Sequence, residues 1–100
     1  MYTVIRSYSG AQSLADELRK RGKEVEREMG SVSGFIAYYL LKTSDGAVSV
    51  TVCDDRRGCE ESTTRSASWL RKNLPELKLS PPEILGGEVC FRFANYPAKV

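Results

Sequence analysis

The segment 35–53 constrains the fold most, because it contains two strand-like runs joined by a tight-turn signal. Its first part, Phe35–Lys42, is almost entirely aromatic and aliphatic. The dipeptide Asp45-Gly46 favours the positive φ angles of a short hairpin loop. Its second part, Ala47–Cys53, alternates valines with small residues at the period of two that a sheet imposes. The sequence therefore predicts an antiparallel hairpin in the middle of the chain.

Helical patterns flank this hairpin on both sides. Before it, apolar residues recur at steps of three and four from Ala11 to Met29, which predicts one helix of about five turns. A capping-box pattern that starts at Ser9 marks its beginning. After the hairpin, Asp54 and Asp55 are natural N-caps for a second helix, and Pro75 prevents that helix from continuing.

Strands complete the order of elements at both ends. Residues Tyr2–Tyr8 are rich in β-branched and aromatic side chains, and Glu88–Phe93 is predicted as the last strand, after a bend at Gly86-Gly87. The order strand, helix, strand, strand, helix, strand is that of a ferredoxin-like sandwich. We therefore predict one α+β domain over residues 1–100, with a core at 2–93 and a tail at 94–100. Two helices are expected on one face of a four-stranded antiparallel sheet.

The strand at 35–41 also predicts a partner, because it is apolar on both faces. Alternation places four residues on one face and three on the other: Phe35, Ala37, Tyr39 and Leu41 against Ile36, Tyr38 and Leu40. Two helices cover only one face of the sheet, and a contiguous exposed apolar patch usually marks an interface. A homodimer that buries the uncovered sheet face is the simplest expectation, and a twofold dimer is the commonest symmetry.

Composition excludes several classes of chemistry. The 100 residues include 15 Lys and Arg, 13 Asp and Glu, and no histidine, which removes Ser-His-Asp and Cys-His catalysis and the common zinc sites. The net charge of +2 and a third strand without aromatic residues argue against a nucleic-acid partner. No apolar run is long enough for a membrane span. We expect no metal and no cofactor.

The cysteines bear on the cellular compartment. Cys53, Cys59 and Cys90 are an odd number without paired spacing, which favours a reducing interior over a disulfide framework. The first residues carry no run of signal-peptide length. We therefore expect a cytoplasmic protein. Cys59 falls near a helix start, but acidic neighbours oppose thiolate formation there, so a packed thiol is expected.

Several of these segments together resemble a known superfamily. The segments are Gly34-Phe-Ile-Ala-Tyr-Tyr-Leu-Leu, Asp45-Gly46, Val50-Thr-Val-Cys-Asp-Asp, and Gly58 with Glu61-Ser62. Over about residues 2–93 the chain resembles the dimeric α/β-barrel superfamily, and within it the antibiotic-biosynthesis-monooxygenase-like domains. The resemblance implies two ferredoxin-like chains with their sheets face to face. Some members oxygenate quinols without metal or flavin, some degrade haem, and many have no assigned activity.

The sequence departs from both active branches at key positions. The haem-degrading branch has an asparagine on the first strand, and a tryptophan and a histidine on the second helix. Here Trp69 lies on that helix, but the strand offers Arg6 and no histidine exists, so haem degradation is not expected. The cofactor-free oxygenases carry an asparagine one turn before the tryptophan. Arg65 occupies that place here, and Asn73 falls one turn after Trp69.

Arg65, Trp69 and Asn73 are nonetheless candidate ligand-binding residues, since steps of four place them on one side of the second helix. They would form an aromatic pocket wall with a hydrogen-bond donor on each side. The alternative is that Trp69 packs at a helix or dimer edge while the other two are solvated. Arg65, Trp69 and Tyr38 are the candidates for catalysis, because an arginine and a tyrosine hydroxyl can hold a phenolate anion.

The strands supply the remaining pocket candidates, which are Arg6, Tyr8, Tyr38 and Tyr39. The tyrosine hydroxyls would bind a ligand or pass a proton, or else the rings fill the core or a dimer interface. Arg6 needs an anionic partner or a ligand if its face is covered by helices. At an edge it would extend to solvent, and the edge is the favoured prediction.

The sequence thus predicts a small homodimeric protein that binds a small aromatic or apolar ligand between helix and sheet. One alternative is a cofactor-independent monooxygenase acting on quinols. A second alternative is a non-catalytic dimer that serves a structural or partner-binding role and needs no pocket.

Overall fold

Strand pairing in the computed structural model, which describes residues 1–95, gives a four-stranded antiparallel sheet with the order β2-β3-β1-β4. The elements in chain order are β1 (Tyr2–Tyr8), α1 (Leu14–Lys20), α2 (Gly22–Gly30), β2 (Phe35–Lys42), β3 (Ala47–Cys53), α3 (Arg56–Asn73), a 3-10 turn (Pro75–Leu77) and β4 (Glu83–Glu88). The helices lie on one face of the sheet, and the predicted ferredoxin-like α+β fold is confirmed. Residues 96–100, most of the predicted tail, lie outside the described part.

The first helical region is two helices, so the prediction of a single helix from Ser9 onward was wrong. Arg21 leaves helical geometry at φ −106° and ψ 31°, and α2 starts at the next residue, Gly22. Glycine has a weak helix propensity, which favours a break there. The N-cap position of α1 is Ser13, because residues 9–12 turn to meet the hairpin, where the Ala11 amide donates to the Asp45 carbonyl at 2.9 Å.

The hairpin between β2 and β3 is confirmed, but Gly46 is needed there for a different reason than predicted. Positive φ angles occur within residues 1–95 at Gly10, Gly34 and Lys78, and not at Gly46. A Cβ atom at Gly46 would instead overlap the carbonyl oxygen of Tyr8 on the neighbouring strand. The loop is closed by the Thr43 amide, which donates to the Gly46 carbonyl at 3.1 Å.

The last strand lies five residues earlier than predicted, at Glu83–Glu88 instead of Glu88–Phe93. Its register along β1 includes Leu85 opposite Ile5. Glycines are tolerated in this edge strand, and a Cβ at Gly86 would lie 3.2 Å from the Tyr2 ring, so glycine makes room for that ring. Hydrophobic alternation at 89–93 misled the prediction, because strand pairing and not apolarity defines the sheet.

A bulge in β2 changes which side chains share a face. Phe35 lies opposite Cys53, whereas Ala37 lies opposite Val52, so Ile36 is the inserted residue. Phe35 therefore falls on the same face as Tyr38 and Leu40, contrary to the simple alternation that the sequence suggested. The bulge orients β2 so that Tyr38 faces the helices.

The two faces of the sheet differ in a way that positions the site. The face under the helices, called the helix face, carries Arg6, Ser49 and Thr51, all nearly inaccessible to solvent. The other face, called the open face, carries mainly apolar side chains: Ile5, Ala37, Tyr39, Leu41, Val48, Val50, Val52 and Leu85. Three polar residues are thus buried among apolar side chains such as Val4 and Cys53 under the helices, and the open face, which is polar in an ordinary half-buried sheet, is largely apolar here.

Helix α3 begins as predicted, with Asp55 as its N-cap. The Asp55 carboxylate accepts a hydrogen bond of 3.1 Å from the Gly58 amide. Gly58 itself sits against β3, where a Cβ would lie 2.9 Å from that of Cys53. This close approach brings the hydroxyls of the first turns of α3 within reach of the side chains on the helix face.

Candidate functional site

Arg6 is the central residue of the site, and the structure places it under the helices. It lies in the middle of β1 and is 1% exposed. Of the two expectations for Arg6, the covered face is the one observed, and the favoured edge position was wrong. The reason is the sheet order, which puts β1 between β3 and β4 and not at an edge.

The guanidinium of Arg6 is held by four hydroxyl groups. Its Nε donates to Ser49 Oγ at 3.1 Å and its Nη2 donates to Thr51 Oγ1 at 2.6 Å, both from β3. Its Nη1 donates to Ser62 Oγ and to Thr63 Oγ1 on α3, each at 3.0 Å. Four of its five N–H donors are therefore used, and the group is fixed between sheet and helix. We call these five residues the Arg6 cluster.

No carboxylate neutralises this buried charge within residues 1–95, where every ion pair of an arginine involves a different arginine. Desolvation by burial lowers the pKa of Arg6. The two tyrosines that interact with it do not supply a negative charge, since burial raises the pKa of Tyr8 and also that of Tyr38. Among the side chains of residues 1–95, the hydrogen-bond partners of the cation are hydroxyl groups, which is an uncommon arrangement for a buried charge.

A cavity of about 590 Å³, called the α3 cavity, opens beside this cluster. It lies between α3, β1, the start of β4 and the segment 74–82. The residues that line it are Arg6, Tyr8, Thr63, Ala67, Leu70, Arg71, Leu74, Pro75, Lys78, Leu79, Ser80, Pro81, Pro82 and Ile84. Most of these are apolar, three are cationic and none is acidic. Its volume falls in the range of about 300–1,000 Å³ that is usual for small-molecule sites.

Trp69 lies on the other side of Tyr8, in a much smaller space. This Trp69 cavity measures about 30 Å³, and its lining consists of Tyr8, Leu18, Val25, Glu28, Met29, Tyr38, Leu40, Ser49, Ser66, Trp69 and Leu70. Its volume is far below that of a small-molecule site. Tyr8 and Leu70 line both cavities, so the two spaces are neighbours across these side chains.

A third depression follows the outer edge of β2 and faces α1 and α2. It measures about 580 Å³ and includes Tyr38, Tyr39 and Lys42. Its wall mixes Arg19 and Glu26 with apolar residues, so it offers no single preferred ligand charge. Tyr39, a pocket candidate from the sequence, is 45% exposed and belongs to the open face.

Two of the candidates on α3 are engaged elsewhere. Arg65 forms ion pairs with Glu61 at 3.0 Å and with Glu28 at 3.5 Å, and it lines none of the three spaces described above. Asn73 donates its side-chain amide to the carbonyl of Trp69 at 3.0 Å, one turn back along the helix. The structure therefore brings Arg6, Tyr8, Tyr38 and Trp69 together, and leaves Arg65 and Asn73 outside.

The thiols near the cluster are packed. Cys53 and Cys59 are both buried, and Cys59 Sγ donates to the Tyr2 carbonyl at 3.3 Å. Burial raises the pKa of Cys53 to about 11 and also raises that of Cys59, so neither thiol is ionised at neutral pH. Within residues 1–95, no three Cys, Asp or Glu side chains converge as metal ligands.

The four hydroxyls that hold Arg6 were not predicted from the sequence. Ser49 and Thr51 alternate with valines in β3, and the valines were the more conspicuous half of that pattern. A signal was nevertheless present, because small residues dominate the inner stripe of α3, including Ser62. Small polar residues on two facing elements indicate a polar space that a long side chain can fill.

Comparison with known proteins identifies the fold. No protein-family model matches the sequence, and no curated protein matches it. Solved structures do match over nearly the whole chain. One is a monooxygenase from the gene ActVA-Orf6 of Streptomyces coelicolor in complex with nanaomycin D, with a TM-score of 0.61 and 20% identity, covering 97% of this chain and 91% of that one.

Two further matches have different activities. The haem degrader MhuD of Mycobacterium tuberculosis, with two haems bound in its active site, has a TM-score of 0.65 and 16% identity, covering 94% of this chain and 100% of that one. A variant of SnoaB, a cofactor-independent oxygenase of Streptomyces nogalater, has a TM-score of 0.57 and 14% identity, covering 94% and 95%. The chain has the fold of the antibiotic-biosynthesis-monooxygenase-like proteins, as its sequence motifs suggested.

Proposed function

We propose that this protein binds a small, largely apolar or aromatic molecule in the α3 cavity. The observation that carries the proposal is the cavity itself, about 590 Å³ in volume, with mostly apolar walls and a few polar groups among them. Apolar walls provide affinity by excluding water, and a small number of fixed polar groups provide orientation. Structural neighbours with nanaomycin D or haem bound support a ligand-binding role for the fold.

We propose further that the working unit is a homodimer formed through the open face. Tyr39, Leu41 and Leu85 on that face are 45%, 47% and 69% exposed. Among the side chains assigned to it, the charged one is Glu83, near one edge. A second copy is the best-matched occupant, because a twofold axis brings the same apolar strip against itself without a new charge.

No helix within residues 1–95 has the length and apolar character needed to cross a membrane.

A cofactor-independent monooxygenase is the second candidate function. Its support is the fold shared with two oxygenases, together with the cluster of Tyr8, Tyr38 and Trp69 around one space. Arg65, which the resemblance suggested for this role, is paired with Glu28 and Glu61 instead. The chain has no histidine, and the α3 cavity presents no cysteine or methionine. Tyr8 is the side chain in its wall that could ligate haem iron, and burial raises the pKa of Tyr8, which disfavours the tyrosinate that binds iron.

Binding is tested by filling the cavity from α3. The substitution Ala67→Phe introduces a ring into its wall, whereas Ser68→Phe, on the adjacent exposed position, is the matched control. The probe is N-phenylnaphthylamine, an uncharged fluorescent aromatic, and the signal is energy transfer from the single tryptophan, Trp69. Saturable binding that is lost in the first variant and kept in the second supports the proposal. Equal binding by both variants would disprove this location.

The oxygenase candidate has its own experiment. Oxygen uptake is measured with simple hydroquinones, for the unmodified protein and for Trp69→Phe. Turnover that disappears in the variant, while its circular dichroism spectrum is unchanged, supports catalysis. Binding of the neutral probe without any oxygen uptake leaves ligand binding alone as the function.

A further inference from the structure

The charge distribution around the α3 cavity is one-sided. Buried Arg6 and exposed Arg71 and Lys78 all line it. No acidic side chain lines it, and neither Arg71 nor Lys78 makes an ion pair within residues 1–95. A space whose charged lining residues are all cationic has a positive potential, which attracts anions and repels cations.

Of these three cationic residues, the buried Arg6 has the largest influence on which ligand charge the cavity prefers. Exposed arginines and lysines are largely screened by solvent and salt, whereas Arg6 is 1% exposed. Its four hydroxyl partners are neutral, and they fix the guanidinium without cancelling its charge. A buried charge that serves structure alone is ordinarily paired with an opposite charge. Residues 1–95 supply Arg6 with no negative charge, and the space beside the cluster is large enough for an anionic group of a ligand.

We propose that the α3 cavity selects ligands that carry one acidic group, such as a carboxylate or sulfonate, on an apolar aromatic body, and that Arg6 provides the counter-charge. This inference rests on the proposed ligand-binding function and specifies the class of ligand. The apolar walls from α3 and the segment 74–82 bind the body. The acidic group lies toward β1, where Arg6 is already oriented by Ser49, Thr51, Ser62 and Thr63.

Arg6 is suited to bind an anion because its guanidinium is already held in one orientation. A flexible exposed arginine loses side-chain entropy when it binds a ligand, but this guanidinium is immobile before the ligand arrives. Charge-assisted hydrogen bonds are about twice as strong as neutral ones, and a low dielectric increases the attraction further. An anion is therefore preferred over an uncharged molecule of the same shape.

The test compares two probes that differ in one charged group. Anilinonaphthalene sulfonate carries a sulfonate, and N-phenylnaphthylamine has the same aromatic body without it. For the unmodified protein we expect the dissociation constant of the sulfonate to be at least about tenfold lower. Equal or tighter binding of the uncharged probe would overturn the inference and leave the proposed function intact. Failure of both probes to bind at one saturable site would overturn both.

Variants then identify the residue responsible. In Arg6→Met the preference for the sulfonate should fall to less than about threefold, with unchanged affinity for the uncharged probe. Arg57→Met is the matched control, because Arg57 is exposed and lies outside the cavity wall, and it should keep the full preference. If the preference survives in Arg6→Met but is lost in Arg71→Met, the assignment to Arg6 is wrong. Should Arg6→Met not fold, the two-probe comparison on the unmodified protein still decides the ligand class.

Discussion

Nη2 of Arg6 lies 2.6 Å from Oγ1 of Thr51 on the adjacent strand, and both side chains are buried. The shortest contact of the guanidinium is therefore with a neutral hydroxyl. Arg65, by contrast, is partly exposed and has two carboxylates within 3.5 Å. Among residues 1–95, the partly exposed arginine is thus paired with carboxylates, whereas the buried one is bonded to neutral hydroxyls and has no counter-charge. This distribution argues that Arg6 is kept for a purpose other than stability.

If Arg6 is not kept for stability, its replacement by an apolar residue should cost little stability. Arg6→Met replaces a buried charge by an apolar side chain of similar length, so the free energy of unfolding should fall by no more than about 1 kcal/mol, or rise. Arg6→Lys keeps the buried charge but cannot reach four hydroxyls, and should cost about 1–3 kcal/mol. Urea denaturation measures both values. A methionine variant less stable than the lysine variant would show that Arg6 is mainly structural.

Stability should decline in alkaline solution. Burial raises the pKa of Cys53 from 9.0 to about 11, so from pH 9 upward the unfolded chain loses this proton before the folded one. The unfolded state then binds fewer protons, and the free energy of unfolding falls as pH rises from 9 to 11. The raised pKa values of Tyr8 and Tyr38 act in the same direction above pH 10.

Urea denaturation at intervals between pH 7 and pH 11 measures this decline. Cys53→Ala removes the thiol, so its stability should depend less steeply on pH between 9 and 10, whatever its absolute stability. A slope identical to that of the unmodified protein would mean that the Cys53 thiol does not contribute.

Gly46 should tolerate no side chain. In Gly46→Ala the new methyl overlaps the Tyr8 carbonyl oxygen, and the strands must separate, at a cost of about 2 kcal/mol or more. Gly22→Ala is the matched control, because nothing lies within 4 Å of the added methyl. That variant should gain up to about 1 kcal/mol from helix propensity. Equal melting temperatures for the two variants would contradict the close approach at Gly46.

The proposed dimer makes a concentration-dependent prediction. Leu41→Lys places a charge on the open face, and a twofold axis brings two such charges into one interface. Sedimentation equilibrium should then show dimerisation weakened by at least about tenfold. Ser68→Lys, on the exposed surface of α3, should leave the dimer unchanged. A monomeric unmodified protein at micromolar concentration would refute the assembly itself.

The order of elements was predictable because local signals carry it. Period-two alternation in β1 and β3, the Asp45-Gly46 turn and the Asp55 cap each act over a few residues, and the observed elements follow them. The exception at the C-terminus is instructive. Phe91 and Phe93 alternate as a strand would, yet they lie beyond β4 with 82% and 91% of their surface exposed. Whether a segment pairs with β1 depends on residues far away in the sequence, so the local alternation of apolar residues does not predict it.

The site was less predictable, since it depends on which face of each strand the helices cover. Arg6 looked like an edge residue until the sheet order placed β1 between two neighbours. The hydroxyls that hold it come from β3 and α3, and they lie 43 to 57 residues away from Arg6 in the sequence. Such a cluster has no spacing signature. Trp69, in contrast, was recognisable from its place on α3, although its neighbours Arg65 and Asn73 proved to be engaged elsewhere.

The position of Tyr8 has a consequence for the size of the molecule that the protein accepts. Tyr8 and Leu70 both line the α3 cavity and the Trp69 cavity, and together they separate the two spaces. A change in the rotamers of these two side chains would connect the spaces. A short ligand fits while they remain separate, and a longer one needs them connected. The length of ligand that the protein accepts therefore depends on how far the Tyr8 and Leu70 side chains can move.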